Sequence, residues 1–166
     1  MEFPSEQHGA KLPSLNHSYL CVEILRQLLQ QNTLQPLTEL TLDVGKGLTP
    51  DICIYPKAHI QPNFLRDVTR VREMPDVAIE ILSASQNIQE ILEKAATLVA
   101  AGVKAVWTIE PYGRTIFVTT QEGEQVHHDQ RLESEGITVD FSQVFQSNQA
   151  RSKPNTERAK EVAPLG

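Results

Sequence analysis

The stretch Pro75-Asp76-Val77-Ala78-Ile79-Glu80-Ile81-Leu82-Ser83 leads into a segment carrying Glu93-Lys94, then through Gly102 into Val103-Lys104-Ala105-Val106-Trp107. Alternate residues of 76–82 lie on opposite faces of a strand: Val77, Ile79 and Ile81 on one, Asp76, Ala78, Glu80 and Leu82 on the other. Both faces are apolar apart from the two carboxylates, which predicts a central strand covered on both sides. From 87 to 101 the apolar residues Ile88, Ile91, Leu92, Ala95, Leu98 and Val99 recur at helical spacing, with Gly102 as the C-terminal cap. Glu93 points outward on that helix. Lys94 sits on the flank beside Ile91 and Leu98, where its stem can curl around the core edge. Strand, helix and the following strand, 103–109, make a βαβ crossover with parallel strands. A carboxylate inside such a strand is costly unless it is paired or binds something.

Upstream, Ser14 or Asn16 can cap a helix over 17–31, with Tyr19, Val22, Ile24, Leu25, Leu28 and Leu29 as its apolar stripe and Glu23 and Arg26 off it. Pro36 closes that segment. Residues 37–43 alternate and read as a half-buried strand, and Gly45-Lys46-Gly47 as a turn. Pro50-Asp51 opens a short strand, 52–55, with Asp51, Cys53 and Tyr55 on one face and Ile52 and Ile54 on the other. Residues 56–74 read as a long loop with a helical turn at 63–68; connections of that length are often functional. Downstream, 115–120 forms a hairpin with 103–109, weaker strands at 124–128 and 137–139 complete the sheet, and 141–145 packs against it. Residues 1–13 are expected to be flexible, 14–146 to form one domain, and 147–166, which lack apolar periodicity, to be a disordered tail.

Hydrophobic content of 40% and charged content of 22% are ordinary for a globular chain of 166 residues. No run approaches the roughly 18 apolar residues of a membrane span, and the N-terminus has no signal-peptide apolar region. Cys21 and Cys53 read as small thiols in a reducing cytoplasm. The net charge of −6 argues mildly against a large basic nucleic-acid surface, although basic residues can still cluster locally.

Asp51, Glu80 and Lys94 are the groups with chemical promise. Two carboxylates on neighbouring strands can hold a hard divalent cation. A nearby ammonium can orient a water and stabilise charge on a phosphate. That trio suits metal-dependent phosphodiester hydrolysis. Spacing alone favours a plainer account, in which Glu80 and Lys94 form a structural ion pair and Asp51 is a turn residue after Pro50. Asp76 also follows a proline, but it lies four residues from Glu80, about 13 Å along an extended strand, too far to share one ion. His127-His128 alternate in a strand and read as surface residues.

Residues 50–55, 75–83, Glu93-Lys94 and Ala101-Gly102-Val103 through Trp107 together resemble the "Uma two" family of restriction endonucleases, common in cyanobacteria and part of the PD-(D/E)xK nuclease superfamily. The resemblance covers roughly residues 16–145. It implies a restriction-endonuclease-like α/β core, a mixed central β-sheet flanked by helices. It further implies that Asp51 is the Asp of the Pro-Asp motif and Glu80 the acidic residue of E-x-K. Leu82 stands where other members have lysine, and Lys94 on the following helix takes that role. Asp51, Glu80 and the backbone carbonyl of Ile81 would bind Mg²⁺ or Mn²⁺, with Lys94 activating water and His17 and Glu39 as accessory candidates. DNA is the implied substrate, a homodimer the expected assembly and the cytoplasm the expected location. Departures at Ala84, Glu90, Leu98 and Val106-Trp107-Thr108-Ile109-Glu110, with the acidic charge, motivate a second reading: a nuclease fold kept as a binding or regulatory module.

Overall fold

The computed structural model describes residues 12–146. Six strands form a mixed sheet in chain order: β1 (Leu34–Thr38), β2 (Ile52–Pro56), β3 (Val77–Ile81), β4 (Ala105–Glu110), β5 (Thr115–Thr120) and β6 (Gly123–His128). Neighbours are antiparallel except β3 and β4, which run parallel from Val77↔Ala105 to Ile81↔Ile109. Helix α2 (Ile88–Ala100) makes that parallel connection. A parallel pair needs a long crossover, and an amphipathic helix supplies it while covering the sheet.

The two faces follow side-chain parity. Ile52, Ile54, Val77, Ile79, Ile81, Trp107 and Ile109 face a core closed by Leu20, Ile24 and Leu28 of α1 (Leu15–Leu28). Cys53, Tyr55, Ala78 and Val106 face the other way, against Ala95, Leu98 and Val99 of α2. Each fully buried aliphatic side chain contributes roughly 1.5–3 kcal/mol, so the two layers fix β3 from both sides. Helix α2 starts at Asn87, whose side chain accepts from Gln89 N, and ends where Gly102 adopts φ +117°. There Gly102 N donates to Val99 O and Val103 N to Leu98 O, a Schellman closure that a residue with a Cβ rarely adopts.

The sequence expectations need four corrections. Helix α1 starts two residues earlier than expected, at Leu15, with Ser14 as its cap. Its buried line is His17, Leu20, Glu23, Ile24 and Leu28, while Val22 and Leu29 are exposed. The strand expected at 37–43 is instead β1, 34–38; Pro36 lies inside this edge strand, where a missing N–H is tolerated, and Glu39 at φ 51° breaks the run. Within 63–68 only a single turn forms, Arg66 N donating to Asn63 O at 3.1 Å, and the 3₁₀ helix of this loop stands earlier, at Lys57–His59. The strand at 137–139 does not join the main sheet. It is β8 (Ile137–Asp140), paired with β7 (Arg131–Ser134) in a separate two-stranded sheet, followed by α3 (Phe141–Val144).

Helix α1 holds that small sheet by side chains rather than by strand pairing. Gln27 accepts from Asp140 N and donates to Asp140 O at 2.8 and 3.0 Å, and Gln31 does the same to Thr138 at 3.2 and 2.8 Å. Two amides one helical turn apart thus satisfy an open strand edge. Expectations for residues 1–11 and 147–166 lie outside the described residues.

Candidate active site

The site lies where β2 begins and β3 ends. Asp51, directly before β2, is 4% exposed. Its Oδ2 accepts a buried hydrogen bond from Ile81 N at 2.7 Å. Its Oδ1 lies 3.0 Å from His17 Nε2, a contact that lacks the alignment of a hydrogen bond. Ser14 sets this up: its side chain accepts from His17 N and starts α1 so that His17 falls on the buried line with Leu20 and Ile24. Asp51 is therefore reached from the α1 layer.

Glu80 is reached from the other layer. The β2–β3 register ends at Ile52↔Ile79, so Asp51 and Glu80 are each one residue past the last pair, at the same end of the ladder. Glu80 is 1% exposed, on the α2 side of the sheet with Ala78. Lys94 extends from the flank of α2, between buried Ile91 and Leu98, and places Nζ 2.5 Å from Glu80 Oε1. The same ammonium donates to Thr49 O at 3.2 Å, two residues before Asp51. Glu93, next to Lys94, is exposed. A buried carboxylate needs such a partner, because its desolvation is otherwise uncompensated.

Cys53 is buried on the same face. Burial, reinforced by the Glu80 charge and opposed by Lys94, pushes its thiol up to about 12. It is neutral at physiological pH and serves as packing rather than as a nucleophile.

Other candidates fall elsewhere. Glu39 is exposed, and its backbone N–H donates to Asp51 O at 3.1 Å. Asp76, at the opposite end of β3, pairs with Lys104 at 3.0 Å. His127 and His128 contact Gln130 and Thr115 at the surface. Two residues escaped the sequence reading. Thr108 on β4 is the register partner of Glu80 and fully buried; among the described residues its hydroxyl has no hydrogen-bond partner, and nor does the buried Ser83 hydroxyl just past β3. In sequence Thr108 looks like any β-branched strand residue. Only the β3–β4 register puts it beside Glu80.

Among the described residues, no group of three or more His, Cys, Asp or Glu side chains converges as a metal cage. The donor chemistry nevertheless fits a hard divalent cation, which takes carboxylate and carbonyl oxygens and keeps several waters. Asp51 and Glu80 supply carboxylates, Ile81 a carbonyl, and the orphaned Thr108 hydroxyl a polar neighbour.

Residues 8–152 match the model of the Uma2 family, described as "Putative restriction endonuclease". The chain belongs to the Uma2 family. The fold agrees. A solved structure described as a "putative nuclease belonging to DUF820", from Anabaena variabilis, superposes with a TM-score of 0.69 at 22% identity, covering 81% of this chain and 83% of the other. A DrdV–DNA complex aligns at a TM-score of 0.39 and 11% identity, covering 75% of this chain and 12% of that one, a likeness too low to carry an argument. No curated protein matches. No helix among the described residues is long and apolar enough to cross a membrane. This Uma2 chain thus has an α/β nuclease-like fold, with the lysine of its charged cluster supplied by a helix.

Proposed function

We propose that this Uma2 protein is a metal-dependent endonuclease that hydrolyses DNA phosphodiester bonds. The observation that carries the reading is the ion pair of Lys94 with buried Glu80 beside Asp51. Asp51, Glu80 and the Ile81 carbonyl would hold Mg²⁺ or Mn²⁺. When bound, that ion supplies Lewis-acid activation of water and phosphate. Lys94 keeps its proton at Nζ and orients the attacking water, and its charge offsets the negative charge that grows on the phosphate oxygens. The Ile81 amide fixes Asp51 through Oδ2, leaving Oδ1 on the side of His17, which acts as a positioning residue. The Glu39 side chain, exposed at the end of β1, has no role in this scheme.

The functional unit is a single domain over 14–146, acting in the cytoplasm. It works as a homodimer, because cutting both strands of a duplex with one site per chain takes two chains. Incubating the protein with supercoiled plasmid in Mg²⁺, Mn²⁺ or EDTA tests the activity. Nicking that requires either cation is expected; equal nicking in EDTA contradicts metal dependence, and no cleavage in either cation contradicts the reading.

A further inference from the structure

The loop between β2 and β3 lies outside the charge cluster and combines two features, its most exposed apolar side chains and a local excess of basic residues. Every residue from Gln61 to Arg70 is exposed, and at its tip Phe64 is 95% and Leu65 94% exposed. Large apolar side chains standing free in water mark an interaction site. The second feature is charge. In a chain of net −6, residues 57–72 hold Lys57, Arg66, Arg70 and Arg72 against Asp67 alone. Arg70 is tied to Asp43 at 2.7 Å and Arg72 more loosely at 3.6 Å; no ion pair is seen for Lys57 or Arg66 among the described residues. Beside the tip lies a cavity of about 860 Å³, lined by Leu37, Leu40, Ile60 and Val71 with Arg66 and Arg72.

We propose that this loop is a DNA-binding arm, with Phe64 and Leu65 as an apolar wedge against the bases and Arg66 and Lys57 on the phosphates. This rests on the endonuclease reading and names the element that seats its substrate. Charge selects the occupant. With Asp43 counted beside the arginines it pairs, a twofold contact of the loop with its own copy would set net +2 against net +2, whereas a polyanion matches it. Exposed apolar side chains among arginines are how proteins unstack or stack on bases. The arm is also joined to the cluster: Val71 N donates to Thr41 O at 2.9 Å, Thr41 and Thr49 share a hydroxyl contact of 2.8 Å, and Thr49 O holds Lys94. A duplex gripped by the arm is thereby referenced to the site.

The test is fluorescence anisotropy with a labelled duplex of about 30 base pairs carrying 2-aminopurine, in EDTA and in Ca²⁺. It compares wild type, Phe64→Ala/Leu65→Ala and Arg66→Ala, with plasmid nicking and sedimentation run in parallel. The exposed positions make unfolding a poor explanation of any loss. Expected are a roughly tenfold rise in Kd and loss of the 2-aminopurine signal for the double variant. For Arg66→Ala the salt slope should fall by about 1. Wild-type Kd in these variants, with cation-dependent nicking intact, overturns the arm and leaves the endonuclease reading standing. Unchanged Kd with a dimer turned to monomer assigns the tip to a second copy and also overturns it. No DNA binding by the wild type overturns both.

Discussion

Lys94 Nζ and Glu80 Oε1 are 2.5 Å apart although the two residues lie on different elements, one on helix α2 and one inside strand β3. The pair converts an expensive strand carboxylate into a fixed charge. Glu80 is 1% exposed and the Lys94 side chain 23%, so removing the lysine leaves a buried anion with poorer compensation. Lys94→Ala is expected to lower stability by about 2–4 kcal/mol, somewhat below a fully buried pair because water reaches the ammonium. Glu80→Gln/Lys94→Met should recover most of that loss. Urea denaturation of the two variants measures the difference; equal stability of wild type and Lys94→Ala contradicts the burial argument.

Asp51 combines a structural bond with a charge, and the two separate by substitution. Asp51→Asn keeps an oxygen that can accept from Ile81 N. It should lie within about 1 kcal/mol of wild type, whereas Asp51→Ala orphans a buried amide at a cost of about 1–3 kcal/mol. Both should lose Mn²⁺ binding in calorimetric titration. Full Mn²⁺ affinity in Asp51→Asn removes Asp51 from the ligand set.

The division between legible and hidden features follows the range of the interactions. The faces of β3, the outward Glu93 and the inward Lys94 follow from periods of two and 3.6 residues, which are local. The contact of Lys94 with Glu80 could be anticipated because the family resemblance paired the two residues and helix geometry left Lys94 on the flank. What failed depended on distant partners. Val22 and Leu29 look like core residues in sequence, but the sheet takes the adjacent line, His17–Leu20–Ile24–Leu28, and so buries His17 and Glu23 instead. Pro36 reads as a terminator because its tolerance depends on β1 being an edge strand. The pairing of β8 with β7 is a local hairpin, but its separation from the main sheet and its clamping by Gln27 and Gln31 involve contacts more than a hundred residues away in sequence. Thr108 is invisible without the β4 register.

That glutamine clamp has its own expected outcome. Gln27→Ala removes two hydrogen bonds to Asp140 and should cost about 1–3 kcal/mol. Amide exchange at Asp140 should speed up by more than exchange in β3, which follows only the global loss of stability. Unchanged exchange at Asp140 contradicts the clamp.

Alkaline pH should weaken the fold through Tyr55. Burial first, then the nearby Cys53 and Glu73, raise its phenol above the ordinary value of 10.0, and its hydroxyl donates to Glu73 O at 2.8 Å. With the folded pKa above the unfolded one, its stabilising contribution is complete below about pH 10 and falls as pH rises further, because the unfolded phenol ionises first. The slope is about 1.4 kcal/mol per pH unit for this one group. Tyr55→Phe should flatten that part of the urea-midpoint profile between about pH 10 and 11. An identical profile in the variant contradicts the assignment.

Asp51, Glu80 and Lys94 are proposed to act at one site, and single-turnover cleavage of plasmid in Mn²⁺ tests that proposal. Wild type is expected to nick the plasmid, with Asp51→Asn and Lys94→Ala each slower by about 100-fold or more while circular dichroism shows both folded. Cation-dependent cleavage at the wild-type rate by folded Lys94→Ala would contradict the central claim.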